Sequence, residues 1–410
     1  MGALGYAAFD GDNHYYEAQD AFQRHMDPKL RKRGVTWVEI RGKQRILIDG
    51  KLDKFIPNPS FDPVALPGSL DAFFRGKNPE GRSMVELFGR LEPIRAEYRD
   101  REARLAVMDR QGLEAILLFP TLAVGVEQPM RHDAELTHAS LEAFNRWLDE
   151  DWGFAWRERL FAVPMISLMD PARATRELEW ALSRGARMVH VRPAPVPGAT
   201  GSFSPGDRVC DPFWARVAEA GITVAFHAGD SGYGKHAAAW EGQRSMEAFR
   251  GYAFGSVTQA DRAIYDTFAA LVVHGVFQRH PNVRVCSIEN GSFWVPWLFK
   301  NLKKAYGQEP KAFRESPHET NMEMIRRSHE TLASIAEIPK LFVAPYYEDE
   351  IRELAELIGV DNILFGSDWP HAEGLADPTR FADELAGFSA EEVRRIMREN
   401  QWRLVTPQRP

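Results

Sequence analysis

The stretch Gly5-Tyr6-Ala7-Ala8-Phe9-Asp10-Gly11-Asp12-Asn13-His14-Tyr15-Tyr16-Glu17 passes from a small apolar segment directly into four ionisable side chains. Side chains alternate along a strand, so Asp10, Asp12 and His14 are expected on one face, where a carboxylate and an imidazole can close on a single divalent cation. A strand ending this way supplies half a metal site and needs partners from other strands.

Working outward, seven more short runs rich in Val, Ile, Leu and Phe follow: Ala115 to Phe119, Phe161 to Ile166, Met188 to Arg192, Ile222 to His227, Val283 to Glu289, Leu341 to Ala344 and Asn362 to Ser367. Near-continuous apolar strands are the mark of a parallel sheet covered on both faces. Helical patterns fill the gaps at Ala134 to Asp151, Ala172 to Arg184, Pro212 to Ala220, Ala260 to Val273, Tyr347 to Ile358 and Ala390 to Glu399. Asp170-Pro171 and Asp211-Pro212 place a cap before a helix-starting proline, and Gly185, Gly221 and Gly359 stand where helices should end. Eight strands with helical crossovers predict an α/β fold, a (β/α)8 TIM barrel.

The 410 residues, 44% hydrophobic and 27% charged, can build one large core. A prior of roughly 100–200 residues per domain suggests two or three domains, but α/β barrels are the known exception, so the chain is read as a single domain over 1–410. An insertion after the first strand is expected at approximately 29–82, rich in Pro, Gly and charge, with a hairpin around Val35 to Ile48, covering the barrel mouth or an oligomer contact. Asn301 to Glu330 reads as polar and helical.

A net charge of −7 offers no basic field for nucleic acid or an anionic membrane, so neither is an expected partner. The start has no basic segment followed by a long apolar one, and no window gives about 18 uncharged apolar residues, so a cytoplasmic location is expected. Cys210 and Cys286 are far apart and are the only cysteines. A metal must therefore be held by His, Asp and Glu.

Reacting groups in such barrels lie at the C-terminal strand ends. Strand one ends with Asp12 and His14, strand four with Arg192, strand five with His227, strand six with Glu289 and strand eight with Asp368. Asp10 and Glu17 flank the first pair and suit positions behind the ligands. His190 shares a face with Arg192, although a satisfied core histidine is the commoner case. Arg192 can hold a substrate carboxylate bidentately, and His371 is a candidate substrate contact or general acid. Gly229-Asp230-Ser231-Gly232-Tyr233-Gly234-Lys235 imitates a phosphate loop, but His236 replaces the Ser or Thr that would reach Mg²⁺. That loop is read as a mobile rim, with Tyr233, Lys235 or His236 over the substrate. No Gly-x-Ser-x-Gly elbow is present, which disfavours a serine hydrolase.

Four segments together resemble the amidohydrolase superfamily, specifically the branch related to aminocarboxymuconate-semialdehyde decarboxylase. They are Asp10-Gly11-Asp12-Asn13-His14, Val224-Ala225-Phe226-His227-Ala228-Gly229, the approach to strand six from Gly275 to Val285, and Phe365-Gly366-Ser367-Asp368-Trp369-Pro370-His371. The resemblance implies a metal-dependent hydrolase type of barrel and one divalent metal ion held by Asp12, His14, His227 and Asp368, zinc first, with manganese or magnesium as alternatives because two carboxylates make the site harder. Relatives carry His at the end of strand six, where this chain has Cys286-Ser287-Ile288-Glu289-Asn290-Gly291. Glu289 is expected to replace that imidazole as acid or base, with Asp368 also able to accept a proton.

The resemblance thus implies non-oxidative decarboxylation of a small aromatic or ring-derived carboxylate by a homodimer or higher homo-oligomer. The alternative is hydrolysis of an amide, ester or C–C bond by a metal-activated water. A non-catalytic scaffold is the remote alternative.

Overall fold

The computed structural model describes residues 4–56, 58–242, 253–259, 261–309 and 341–408. Seven parallel strands follow one another along the chain: β1 (Ala8–Tyr15), β2 (Leu113–Pro120), β3 (Leu160–Ala162), β4 (Met188–His190), β5 (Thr223–His227), β6 (Arg284–Ile288) and β7 (Leu341–Val343). Pairing runs β1-β2-β3 and β4-β5-β6-β7, and a bridge between Met165 and His190 joins the two sheets.

The eighth stave is the segment 363–369. Leu364 N donates to Val343 O at 2.9 Å on one side, while on the other Gly11 N donates to Phe365 O and His14 N to Trp369 O, both at 2.8 Å. The expected (β/α)8 barrel is therefore closed, but its last run makes isolated bridges in place of a regular strand. Two requirements compete there: the segment must close the barrel and also turn Asp368 inward, at φ 56°.

Helices return the chain between strands: α1 (Arg101–Gln111), α2 (Ala134–Asp151), α3 (Pro171–Ser183), α4 (Asp211–Ala220), α5 (Arg262–Val273), α6 (Trp294–Gln308) and α7 (Ile351–Ile358). Asp170 caps α3 through Arg173 N at 3.0 Å, as its Asp-Pro pair suggests. Asp211 does not cap α4: the cap position is Cys210, and Asp211 is the first helical residue. There it accepts from Arg279 at 2.8 Å. Helix α1 escaped the sequence pattern because its polar face dominates its composition. The expected helical residues Ala260 and 310–330 lie outside the described residues.

Side chains pointing into the barrel, among them Phe9, Leu117, Phe161, Met188 and Ala225, form a core distinct from the one between strands and helices. Burial of each large apolar side chain contributes about 1.5–3 kcal/mol. Trp402, on the C-terminal helix, packs edge-on against Phe9 with centroids 4.9 Å apart and helps close the floor.

The insertion contains the expected hairpin, Val35–Ile40 paired antiparallel with Lys43–Ile48. Its two-residue turn has positive φ at Arg41 (53°) and Gly42 (73°), the combination that matches the twist of a hairpin. Later in the insertion, Gly68 N and Leu70 N donate to His371 O (3.1 Å) and Ala372 O (2.8 Å), so its chain grips the loop beyond the closing segment. Among the described residues no helix is long and apolar enough to cross a membrane.

Candidate metal centre

β1 is buried along its whole length, including Asp10, Asp12, Asn13 and His14. Its pairing with β2 slips by one residue between Asp10 and Asn13. This bulge breaks the alternation expected for the three side chains. Asp12 and His14 point into the barrel mouth, whereas Asp10 turns to the closing segment. There it accepts from Ser367 Oγ (2.5 Å) and Ser367 N (3.0 Å), as well as from Asn13 Nδ2 (2.8 Å).

Nε2 of His14 and Nε2 of His227 face each other at 3.3 Å. Asp12 Oδ1 lies 3.3 Å from the first and 3.4 Å from the second. Asp368 joins through His14, with Oδ1 3.1 Å from that same nitrogen. Bonds of roughly 2.0–2.1 Å to a tetrahedral ion place neighbouring donor atoms about 3.3 Å apart, so the spacing fits a cation at the centre. The tautomer of His227 fits as well. His227 Nδ1 lies 2.8 Å from Ala228 O, which can only accept, so Nδ1 carries the proton and Nε2 presents a lone pair inward. Asp12 Oδ1 is buried without a hydrogen-bond donor of good geometry.

The field at this point favours positive charge. Burial alone would make His14 less basic, but hydrogen bonds to Asp12 and Asp368 and their charges hold it well above the usual imidazole range. Burial likewise opposes ionisation of Asp12 and Asp368, yet neighbouring imidazoles keep both below the ordinary carboxylate range.

Glu289 follows β6 at φ 54°, a left-handed backbone rare outside glycine. Tyr346 donates its hydroxyl to Glu289 O at 3.0 Å. The carboxyl reaches His227 Nε2 at 3.2 Å. Burial, reinforced by the negative charges of Asp368 and Asp12, pushes its pKa well above the carboxylate range. His371 reaches Asp368 Oδ1 through Nδ1 (2.6 Å) and Thr121 Oγ1 through Nε2 (2.9 Å), and it stacks on His14 at 4.0 Å. It orients two of the groups that surround the centre.

The other expected residues are engaged by protein groups. Glu17 accepts from Leu122 N (2.8 Å) and Ala123 N (3.0 Å), tying the end of β1 to the loop after β2. Arg192 Nη1 donates to Gln128 Oε1 at 2.6 Å, and its Nε lies 3.5 Å from Glu127. Tyr233 donates to Asp266 at 2.9 Å, on α5.

Two residues at the centre were not singled out from sequence. Glu373 stands with Glu289, Asp368 and His371, ligand-type atoms all within 4.8 Å of one another. Burial and then Asp368 push its pKa up to about 8. Its only sequence signal was a place two residues beyond His371. Arg104, on α1, is 1% exposed and has its pKa lowered to about 9 by burial. It donates to Asn13 Oδ1 (2.5 Å) and His14 O (2.7 Å), and its guanidinium lies 4.6 Å from the ring of Trp369. Nothing in the pattern of α1 announces a buried arginine beneath β1.

Residues 92–405 match the model of the family described as amidohydrolase. An amidohydrolase from Mycobacterium avium subsp. paratuberculosis K-10 is 48% identical, with 98% of this chain and 100% of that chain covered and a TM-score of 0.89. A dihydroxybenzoic acid decarboxylase from Polaromonas sp. JS666, with bound manganese and 2-nitroresorcinol, is 15% identical over 98% of this chain and 97% of that one, with a TM-score of 0.58. A 5-carboxyvanillate decarboxylase from Novosphingobium aromaticivorans DSM 12444, with manganese, is 14% identical over 99% and 98%, with a TM-score of 0.56. At those identities the two decarboxylases establish likeness of fold.

Proposed function

The chain belongs to the amidohydrolase family, and from that premise we propose that it is a metal-dependent, non-oxidative decarboxylase of a small aromatic carboxylate. The observation that carries the reading is the carboxyl of Glu289 standing 3.2 Å from an imidazole of a convergent donor set, where burial raises its pKa above the carboxylate range. Asp12, His14, His227 and Asp368 would hold one divalent cation. When bound, that cation supplies Lewis-acid stabilisation of negative charge on the substrate. Manganese in the two decarboxylases of like fold, together with two hard carboxylate donors here, supports manganese beside zinc.

The roles of the chain's own groups follow from their states. In this reading Glu289 delivers the proton at the barrel mouth. When the bond between the ring carbon and the carboxylate breaks, the electron pair stays on the ring carbon and takes that proton, CO₂ departs, and water returns a proton to Glu289. His371 keeps Asp368 in place. Phe119, 4.8 Å from the ring of His227, provides an apolar wall. Arg192 is the group proposed to meet the substrate carboxylate through Nη2, while Nη1 stays with Gln128.

Protein loaded with Mn²⁺ or with Zn²⁺ is incubated with 2,6-dihydroxybenzoate, 5-carboxyvanillate and a set of aromatic amides and esters, with CO₂ and hydrolysis products both measured. CO₂ release from a carboxylate is the expected result, and Glu289→Gln should reduce it about 10²–10⁴-fold while leaving metal content unchanged. Hydrolysis of an amide or ester without any CO₂ would transfer the site to water activation.

A further inference from the structure

Within the insertion, the hairpin Val35–Ile40 against Lys43–Ile48 gains Lys51–Leu52 as a third, antiparallel edge strand. Successive side chains on a strand turn to opposite faces. Val35, Ile46 and Ile48 are buried, and Trp37, on the same face, packs against the core beside them. An antiparallel sheet with one face on a core ordinarily turns polar side chains outward. This one turns out Val38, Ile40, Leu47 and Leu52, with Ile40 39% and Leu52 42% exposed.

Charge is as uneven as hydropathy. Residues 29–54 hold nine Lys and Arg against three Asp and Glu, in a chain whose net charge is −7. Arg33 is matched by Asp49 and Asp133, both at 2.9 Å. Lys29, Lys32, Arg41, Lys43, Lys51 and Lys54 are exposed and make no ion pair among the described residues. Salt screens charges over about 8 Å at physiological ionic strength, so a surface that meets the hairpin feels this cluster and not the acidic total. The net charge that argued against an anionic membrane averages away a local basic field.

Residue types narrow the occupant. Cores of protein–protein contacts are rich in aromatic residues, Met and Arg and poor in Lys. Here the outward apolar side chains are aliphatic, and five of the six uncommitted cations are Lys. A second copy laid hairpin to hairpin would set like charges together. Nucleic acid phosphates would meet the cations but leave the aliphatic side chains without a partner. An anionic bilayer meets both, because Lys stems reach headgroup phosphates while aliphatic side chains enter the acyl boundary. We propose that this hairpin is a peripheral attachment site for an anionic phospholipid surface. The attachment is independent of the reaction at the metal centre.

The test sediments the full-length protein with vesicles of phosphatidylcholine alone, or of equal parts phosphatidylglycerol and phosphatidylcholine. One variant is Arg41→Ser/Lys43→Ser/Lys51→Ser and the other is Ile40→Ser/Leu52→Ser. All five side chains are exposed, so both variants should melt with wild type. Wild type should bind only the vesicles that contain phosphatidylglycerol. Raising salt from about 0.1 to about 1 M, which shortens the Debye length from about 10 to about 3 Å, should release it. Loss of three cations should weaken binding about 100-fold, at about fivefold each. Loss of the two aliphatic side chains should weaken it while leaving its salt dependence. Wild type that ignores both vesicles, or binds both alike, overturns the proposal, as does undiminished binding by the charge variant. Velocity sedimentation and retention of duplex DNA are measured beside the vesicles. In protein that ignores lipid, an oligomer dispersed by the charge substitutions would assign the hairpin to a second copy, and DNA retained only by wild type would assign it to nucleic acid. Either result overturns the lipid assignment.

Discussion

Carboxyl groups at the barrel mouth share one chemistry and differ in state because their neighbours differ. Asp12 and Asp368 meet imidazoles that hold their pKa values below the carboxylate range, whereas burial and negative charge raise those of Glu289 and Glu373. If Glu289 delivers the proton, turnover should fall as pH rises through its elevated pKa, because only the protonated form can donate. A pH–rate profile of wild type against Glu289→Asp checks this, since the shorter acid should move the alkaline limb. Arg104 acts beneath the ligands. Arg104→Met should leave Asn13 Oδ1 and His14 O without their donor, costing about 1–3 kcal/mol for each buried group. It should also weaken metal affinity about 10–100-fold, as loss of a ligand-orienting partner does. Denaturant melts and metal titration read the two effects. Asp12, His14, His227 and Asp368 were legible as candidates because each is a ligand-type residue at a strand end and the family resemblance names those positions. Glu373 and Arg104 were not, because only the fold brings them to the centre.

At the scale of elements, the first strand and the closing segment are the parts that must fit most closely. Gly366 shows why: a Cβ there would lie 2.6 Å from Cβ of Asp12. Gly366→Ala should therefore destabilise the fold by about 1–3 kcal/mol through overpacking and lower metal occupancy by displacing Asp12. Metal analysis beside a thermal melt tests both. Helix α2 was legible to the residue, from Ala134 to Asp151, because its apolar period is strong and Asp133 caps it. The bulge in β1 and the irregular eighth stave were not, because each arises where two neighbours demand incompatible registers.

Across the whole molecule, buried acids should set the pH response of the metal-free protein. Burial raises Glu17 and Glu348 to about 7 and Glu373 to about 8, so the folded state binds protons that the unfolded chain releases. Stability should then fall as pH rises from about 7 to about 8.5, a range in which His138 and His190, lowered to about 4 and about 3, are neutral when folded and largely so when unfolded. Thermal melts across that range should show a smaller decline in manganese-loaded protein, because a cation favours ionised carboxylates. The chain's pattern alone determined the barrel, the order of its strands and most of its helices, and the ligand-type residues at the strand ends, because periodicity and side-chain chemistry are local properties. Tertiary structure decided which of those residues converge, that Asp10 turns to Ser367, 357 residues away, and that Arg192 and Tyr233 are held by protein partners. Hydrogen-bond satisfaction and burial depend on groups distant in sequence, and no local pattern records them.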